Sequence, residues 1–259
     1  MKALPYPPLL DFEAGELALF LDIDGTLLEH AAHPDTVRVD GDLLALLRAL
    51  EGQLDGALAF VTGRSIAAVD RLFAPLRLPA AGLYGLEHRL SANGPVEAAE
   101  EPADIAALAQ EIAAEFDGAN VYIERKGPIL ALHTRAAPRL LARAIRLVEQ
   151  ALAHLPPGYR VLPGNAGVEL MPLEAAKGAA IRRFTELPAF AGRRPVFLGD
   201  DTSDENGFQA INEDGGIAIR VRPQGDTLAP YGLGGASEVI SWLKRCAGPY
   251  RAACASTRA

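Results

Sequence analysis

The sequence predicts an α/β protein, a doubly wound parallel sheet with a smaller α+β unit inserted into it. Two observations carry that expectation. Short unbroken apolar runs at residues 17–21, 57–61 and 195–198 have the character of strands buried on both faces of a parallel sheet. Between residues 101 and 172 this pattern gives way to two helical stretches and about four strands with hairpin-length connections, which reads as a compact α+β unit. The chain therefore divides into a core (1–100), an insertion (101–172) and the remainder of the core (173–259).

The first strand runs into FLDIDGT. Side chains alternate on an extended backbone, so Asp22 and Asp24 share a face while Ile23 turns away. Gly25 allows a sharp turn, and Thr26 adds a hydroxyl. Two carboxylates on one face repel unless a cation lies between them or one holds a proton, so the pair suggests a metal, an acid/base couple or both. Asp and Gly also make ordinary solvated turns. The next loop, EHAAHPD, carries His30 and His33, which read as solvated side chains rather than metal ligands.

Leu43, Leu46, Leu47 and Leu50 then recur at helical spacing over 42–54, with Asp42 as the expected cap. The strand at 57–61 stops at Thr62, Gly63 and Arg64. Ser65 is suited to cap the helix that presents Ile66, Val69, Phe73 and Leu76 on one side. A hydroxyl at a strand end facing a helix N-terminus is well placed to hold an anionic oxygen, although threonine is also common there for structural reasons. Residues 81–89 read as a third strand at the edge of a hairpin that turns near Asn93 and Gly94.

In the insertion a helix is expected over 103–116, then strands at 121–124 and 129–133 around Lys126, Gly127 and Pro128. A helix from Pro138 to about 155 should bury Leu140, Leu141, Ile145 and Val148, and strands at 160–162 and 168–171 close the unit. Past 172, Lys177 and Gly178 open a helix carrying Ile181 and Phe184. A lysine at that end is disfavoured by the helix dipole, so it hints at another role. The run PVFLGDDTSDE repeats the opening pattern, and Asp200, Asp201 and Asp204 are more carboxylates than a strand end holds without a cation. A strand at 216–221 and a helix containing Val239, Trp242 and Leu243 follow, with Trp242 read as core; the tail from 248 has no pattern.

Composition narrows the class. At 49% hydrophobic and 22% charged residues the chain is globular, and a net charge of −8 argues against nonspecific nucleic-acid binding. No apolar run is long enough to span a bilayer, and prolines interrupt the opening MKALPYPPLLDF where a signal peptide needs a continuous apolar segment. Cys246 and Cys254 lie away from the polar clusters, which fits a reducing compartment. The expectation is a cytoplasmic protein with a small-molecule partner, no nucleic acid and no membrane, monomeric by default.

The DxDGT string after an apolar strand resembles the first motif of the haloacid dehalogenase superfamily of phosphatases. The resemblance implies that Asp22 attacks phosphorus to form an aspartyl phosphate while Asp24 serves as general acid and then base. It also implies Thr62 as the second motif, Lys177 as the third, and a metal held by the Asp22 side chain, the Asp24 backbone carbonyl and Asp200. Asp201 and Asp204 would then orient that site. Hard oxygen ligands and a phosphate suit magnesium. The order GLYGLEHR, IERKG with LHTRAAP, GVELMP with KG, and FLGDDTSDE is similar to trehalose-6-phosphate phosphatases and covers all but the ends of the chain. That likeness implies sugar contacts from Glu124, Lys126, Arg135 and Glu169 of a cap, with Thr62, Gly63 and Arg64 also binding substrate.

The sequence departs from the family at Tyr84, Asn165 and Met171, where His, Lys and Arg are frequent, and these changes bear on the fine substrate contacts. Related phosphatases for sucrose 6-phosphate or mannosyl-3-phosphoglycerate, or a silent sugar-phosphate sensor, are the alternatives. Intact Asp22, Asp24, Lys177 and Asp200 argue against a sensor.

Overall fold

The computed structural model describes residues 4–30, 38–100, 102–155, 157–164 and 166–248. His33, Asn165, Cys254 and the tail from 249 lie outside the described residues. In chain order the elements are β1 (Leu17–Leu21), α1 (Gly41–Gln53), β2 (Leu58–Val61), α2 (Ile66–Leu72), β3 (Ala80–Gly82), β4 (Glu87–Arg89) and β5 (Glu97–Ala98). The middle segment gives α3 (Ala103–Glu115), β6 (Tyr122–Lys126), β7 (Ile129–His133), α4 (Leu141–Leu152), β8 (Tyr159–Gly164) and β9 (Gly167–Pro172). The chain continues with α5 (Lys177–Thr185), β10 (Arg194–Gly199), α6 (Glu205–Glu213), β11 (Ile217–Val221), β12 (Tyr231–Leu233) and α7 (Ala236–Cys246).

The α/β expectation holds. Eight strands form one sheet in the order β12-β11-β10-β1-β2-β3-β4-β5, parallel from β12 to β3 and antiparallel thereafter. Strands β1 and β2 are buried along their whole length, which explains their unbroken apolar sequences. From β1 the chain moves outward through β2, whereas from β10 it moves the opposite way through β11. The crevice beyond the carboxyl ends of β1 and β10 is therefore the topological switch point, where sheets of this kind bind ligands.

Residues 103–172 form a separate antiparallel sheet, β6-β7-β9-β8, with its own core that includes Ile105, Ile112, Phe116, Leu130, Leu132, Val148 and Leu170. A small third cluster of Leu83, Leu86, Ile129, Met171 and Ala175 joins residues of both units. Trp242 is buried as expected, and its indole N–H donates to the Pro8 carbonyl at 3.1 Å.

Several local expectations are corrected. Asp40, not Asp42, caps α1: its carboxylate accepts the Leu43 N–H at 2.7 Å, and Asp42 lies in the first turn. Residues 81–89 are not one strand, because a 3-10 turn at Leu83–Gly85 sends β4 back antiparallel to β3. The hairpin near Asn93 and Gly94 is present between β4 and β5. The helix expected from Pro138 begins as a 3-10 turn, and α4 buries Ala144, Val148 and Ala151, with Leu141 outside its core. Helix α6 and edge strand β12 carry sequence signals too short or too polar to stand out.

Candidate active site

Lys177, the first residue of α5, is buried at 2% exposure beneath the switch-point crevice. Its ammonium donates to Asp22 Oδ1 at 2.7 Å and to Asp204 Oδ1 at 2.6 Å, and this explains the lysine that the helix dipole disfavours. The other oxygen of Asp204 accepts the backbone N–H groups of Asp200 and Asp201, each at 2.9 Å. Asp204 thus spends both oxygens on the protein and fixes the loop after β10. A side chain at Gly199 would put its Cβ 2.3 Å from the Asp204 carboxyl carbon, so this packing needs glycine there. Asp201 caps the short turn that follows, accepting from the Thr202 N–H at 2.8 Å.

Ligand-atom oxygens of Asp22, Asp200 and Asp204 lie within 4.8 Å of one another. Burial pushes the Asp22 carboxyl well above the ordinary range, Asp204 and Asp200 push the same way, and Lys177 opposes them. Burial also raises Asp200, against the pull of His30, whose Nε2 is 2.9 Å from Asp200 Oδ2. Three carboxylates against one lysine leave negative charge unbalanced in a buried place. The donor set is all hard oxygen, and Asp22 and Asp200 each engage the protein through one oxygen here, so the residues fit a divalent cation. Gly25, at φ 84°, lies so close to Asp200 that a Cβ would be 1.9 Å from its oxygen.

Thr62 follows β2 and is buried at 1% exposure; its hydroxyl accepts the Arg64 N–H at 3.2 Å. The Arg64 guanidinium grips Asp24 with two parallel bonds of 2.6 Å. Across the crevice, Lys126 donates to Glu169 at 2.6 Å and to the Gly63 carbonyl at 3.4 Å, tying the second sheet to the β2–α2 loop. Burial alone would lower Lys126, but Glu169 and Glu124 more than offset it and raise it. For Glu124, burial is outweighed by His133 and Lys126, and its carboxyl titrates below the usual range. His133 Nε2 meets Glu124 Oε2 at 2.9 Å. Exposed Arg135 completes the set.

A cavity of about 750 Å³ is lined from the first unit by Asp22, Asp24, Thr62, Gly63, Arg64, Lys177, Asp200, Asp201 and Asp204, and from the second by Glu124, Lys126, Arg135 and Glu169. Every site residue expected from sequence thus meets at one place. Met171 does not line it; its sulfur accepts from Arg160 at 3.7 Å in the junction cluster. Tyr84 does line it, half-buried in the left-handed region (φ 58°), with lysine ammoniums 5.8 and 5.9 Å from its ring centre. A Cβ on Gly63 would be 2.5 Å from its hydroxyl. Sequence reasoning missed Tyr122 and His133, and it read His30 as a solvated loop side chain, whereas His30 lines the cavity and is held by Asp200. The period-two phase of β6 and β7, which puts Tyr122 and His133 on the face of Glu124, was the signal for these two; nothing local to His30 pointed to Asp200, 170 residues away.

A lysine-bridged aspartate pair thus sits at the switch point, under a second sheet. The chain superposes on the C-terminal domain of Candida albicans trehalose-6-phosphate phosphatase with a TM-score of 0.78 at 20% identity, covering 95% of this chain and 99% of that one. It also superposes on a phosphatase of the haloalkanoate (HAD) superfamily from Bacteroides thetaiotaomicron with a TM-score of 0.56 at 17% identity, covering 88% and 94%. The fold is that of the HAD phosphatases.

Sequence comparison narrows the class, since residues 20–233 match the trehalose-phosphatase family. A probable trehalose-phosphate phosphatase from Sinorhizobium fredii is 45% identical over 207 residues, covering 80% of this chain and 78% of that protein. Trehalose-6-phosphate phosphatase from Escherichia coli is 38% identical over 235 residues, covering 89% and 86%. The chain belongs to the trehalose-phosphatase family and is a phosphatase. Among the described residues no helix is long and apolar enough to cross a membrane.

Proposed function

We propose that this enzyme hydrolyses trehalose 6-phosphate to trehalose and phosphate through an aspartyl phosphate on Asp22, with magnesium as cofactor. The observation that carries the reading is the Lys177 ammonium shared by Asp22 and Asp204 at the base of a cavity whose facing wall holds Glu124 and Glu169. The names of the bacterial relatives support the substrate.

The Asp22 carboxylate attacks phosphorus, and the bond from phosphorus to the sugar oxygen breaks. Asp24 gives its proton to that oxygen as trehalose leaves. Asp24 then takes a proton from the water that attacks the aspartyl phosphate, which releases phosphate and restores Asp22. Lys177 neutralises and orients the nucleophile, and the Thr62 hydroxyl with the Gly63 segment holds phosphoryl oxygens. Arg64 grips Asp24 in the structure; an incoming phosphoryl group competes for the guanidinium and frees Asp24 for proton transfer. Asp22, the Asp24 carbonyl and Asp200 would hold magnesium, with Asp201 and Asp204 orienting them. Bound there, the ion supplies positive charge against the phosphoryl oxygens.

Residues 101–172 act as the cap and the rest as the core, with Glu124, Lys126, Arg135 and Glu169 binding sugar hydroxyls and phosphate. A reducing cytoplasm suits Cys246, which is buried and free among the described residues. Phosphate release across a panel of sugar phosphates, with magnesium and with chelator, tests the reading. Trehalose 6-phosphate should be the preferred substrate and chelator should stop its turnover; preference for sucrose 6-phosphate or mannosyl-3-phosphoglycerate would overturn the substrate assignment.

A further inference from the structure

The second sheet turns its side chains to the cavity in rows, because residues two apart on a strand share a face and paired residues lie side by side. Lys126 stands at the inner end of β6, against the Gly63 carbonyl and so beside the phosphate end of the site. One step outward, Glu124 pairs with Ala131, Ala131 with Glu169 and Glu169 with Leu162. The next row is Tyr122, His133, Gly167 and Gly164, again in register. All four residues of this outer row line the cavity. Successive rows on one face are about 6.7 Å apart, roughly one pyranose ring per row.

The outer row is built differently from the one before it. Its two aromatic rings lie nearly parallel, 22° apart with centres 5.5 Å apart, and the His133 ring is held by Glu124. Tyr122 is 42% exposed although it lines the cavity. Beside the rings the floor carries no side chains, and at Gly167 a Cβ would be 2.5 Å from the Leu132 carbonyl oxygen. A fixed aromatic face next to a bare glycine shelf suits the flat C–H face of a sugar ring, while the Glu124–Glu169 row suits hydroxyls.

We propose that Tyr122, stacked on His133 and bordered by Gly164 and Gly167, is the subsite for the pyranose ring farther from the phosphate. It selects disaccharide phosphates over monosaccharide phosphates. The proposal rests on the reading that trehalose 6-phosphate binds with its phosphate between Asp22 and Thr62. The test compares specificity constants for trehalose 6-phosphate and glucose 6-phosphate in wild type, Tyr122→Ala, Tyr122→Leu and Tyr122→Phe, with circular dichroism as the check on folding. The ratio of the two constants should fall about tenfold in the Ala and Leu variants, mostly through KM for the disaccharide, and stay near wild type in Phe, which keeps the ring. An unchanged ratio in either folded non-aromatic variant, or an equal loss in Phe, overturns the subsite. A wild-type enzyme inactive on trehalose 6-phosphate would instead overturn the underlying reading.

Discussion

Asp204→Asn is the perturbation that most directly probes how the charge cluster is held. Asp204 is fully buried and accepts three hydrogen bonds, from the Lys177 ammonium on one oxygen and from two backbone N–H groups on the other. An amide has a single acceptor oxygen. Whichever way it is turned, its NH₂ faces either the ammonium or the two N–H donors, so at least one strong contact becomes donor against donor. Removing one partner of a buried ion pair costs about 3–5 kcal/mol, and Lys177 keeps Asp22, so the lower end, about 3 kcal/mol, applies.

In a chain of this length that corresponds to a fall of roughly 6–12 °C in thermal midpoint. Asp22→Asn should behave in the opposite sense, because burial with two neighbouring carboxylates already favours the uncharged form of Asp22. Thermal midpoints of both variants in metal-free buffer at neutral pH measure the contrast. An Asp204→Asn midpoint within about 2 °C of wild type, or an equal fall in Asp22→Asn, would refute the division of labour between the two aspartates.

Other outcomes follow from the same geometry. Asp22→Asn should abolish turnover in a folded protein, since the amide cannot attack phosphorus; substantial residual phosphate release would sink the covalent route. Asp200→Asn should weaken magnesium binding by calorimetry and recover part of its activity at high magnesium, so an unchanged affinity would give Asp200 another role. Glu124→Ala should lower the specificity constant for trehalose 6-phosphate by ~10-fold or more relative to that for an aryl phosphate, and equal losses on both would make Glu124 structural. Without metal, the raised carboxyls of Asp22 and Asp200 mean that the folded state keeps protons the unfolded chain has released. Stability should therefore decline as pH rises from about 4, and Asp22→Asn should flatten that decline in denaturant titrations.

The parallel sheet was legible because its central strands are buried on both faces and so carry unbroken apolar runs, each ending in the polar residues that now line the crevice. Lys177 was legible as a misfit, a cation where the helix dipole disfavours one, and two buried carboxylates resolve it. What stayed hidden depends on long-range contact. His30 meets Asp200 across 170 residues of sequence, and no local pattern encodes that approach. The turn through Tyr84 was hidden because a left-handed tyrosine contradicts its own propensity and is held only by surrounding packing. Tyr122 and His133 were readable only once the register of β6 and β7 was known.

The central claim is that Asp22 carries the phosphoryl group from trehalose 6-phosphate to water. Wild-type protein quenched in acid during turnover, digested and weighed peptide by peptide, examines it directly. The account predicts a fraction of the peptide containing Asp22 heavier by one phosphoryl group, formed only with substrate and magnesium and lost on exposure to hydroxylamine. Steady phosphate release with the phosphoryl mass on another residue, or with none trapped on any peptide under single-turnover conditions, would contradict it.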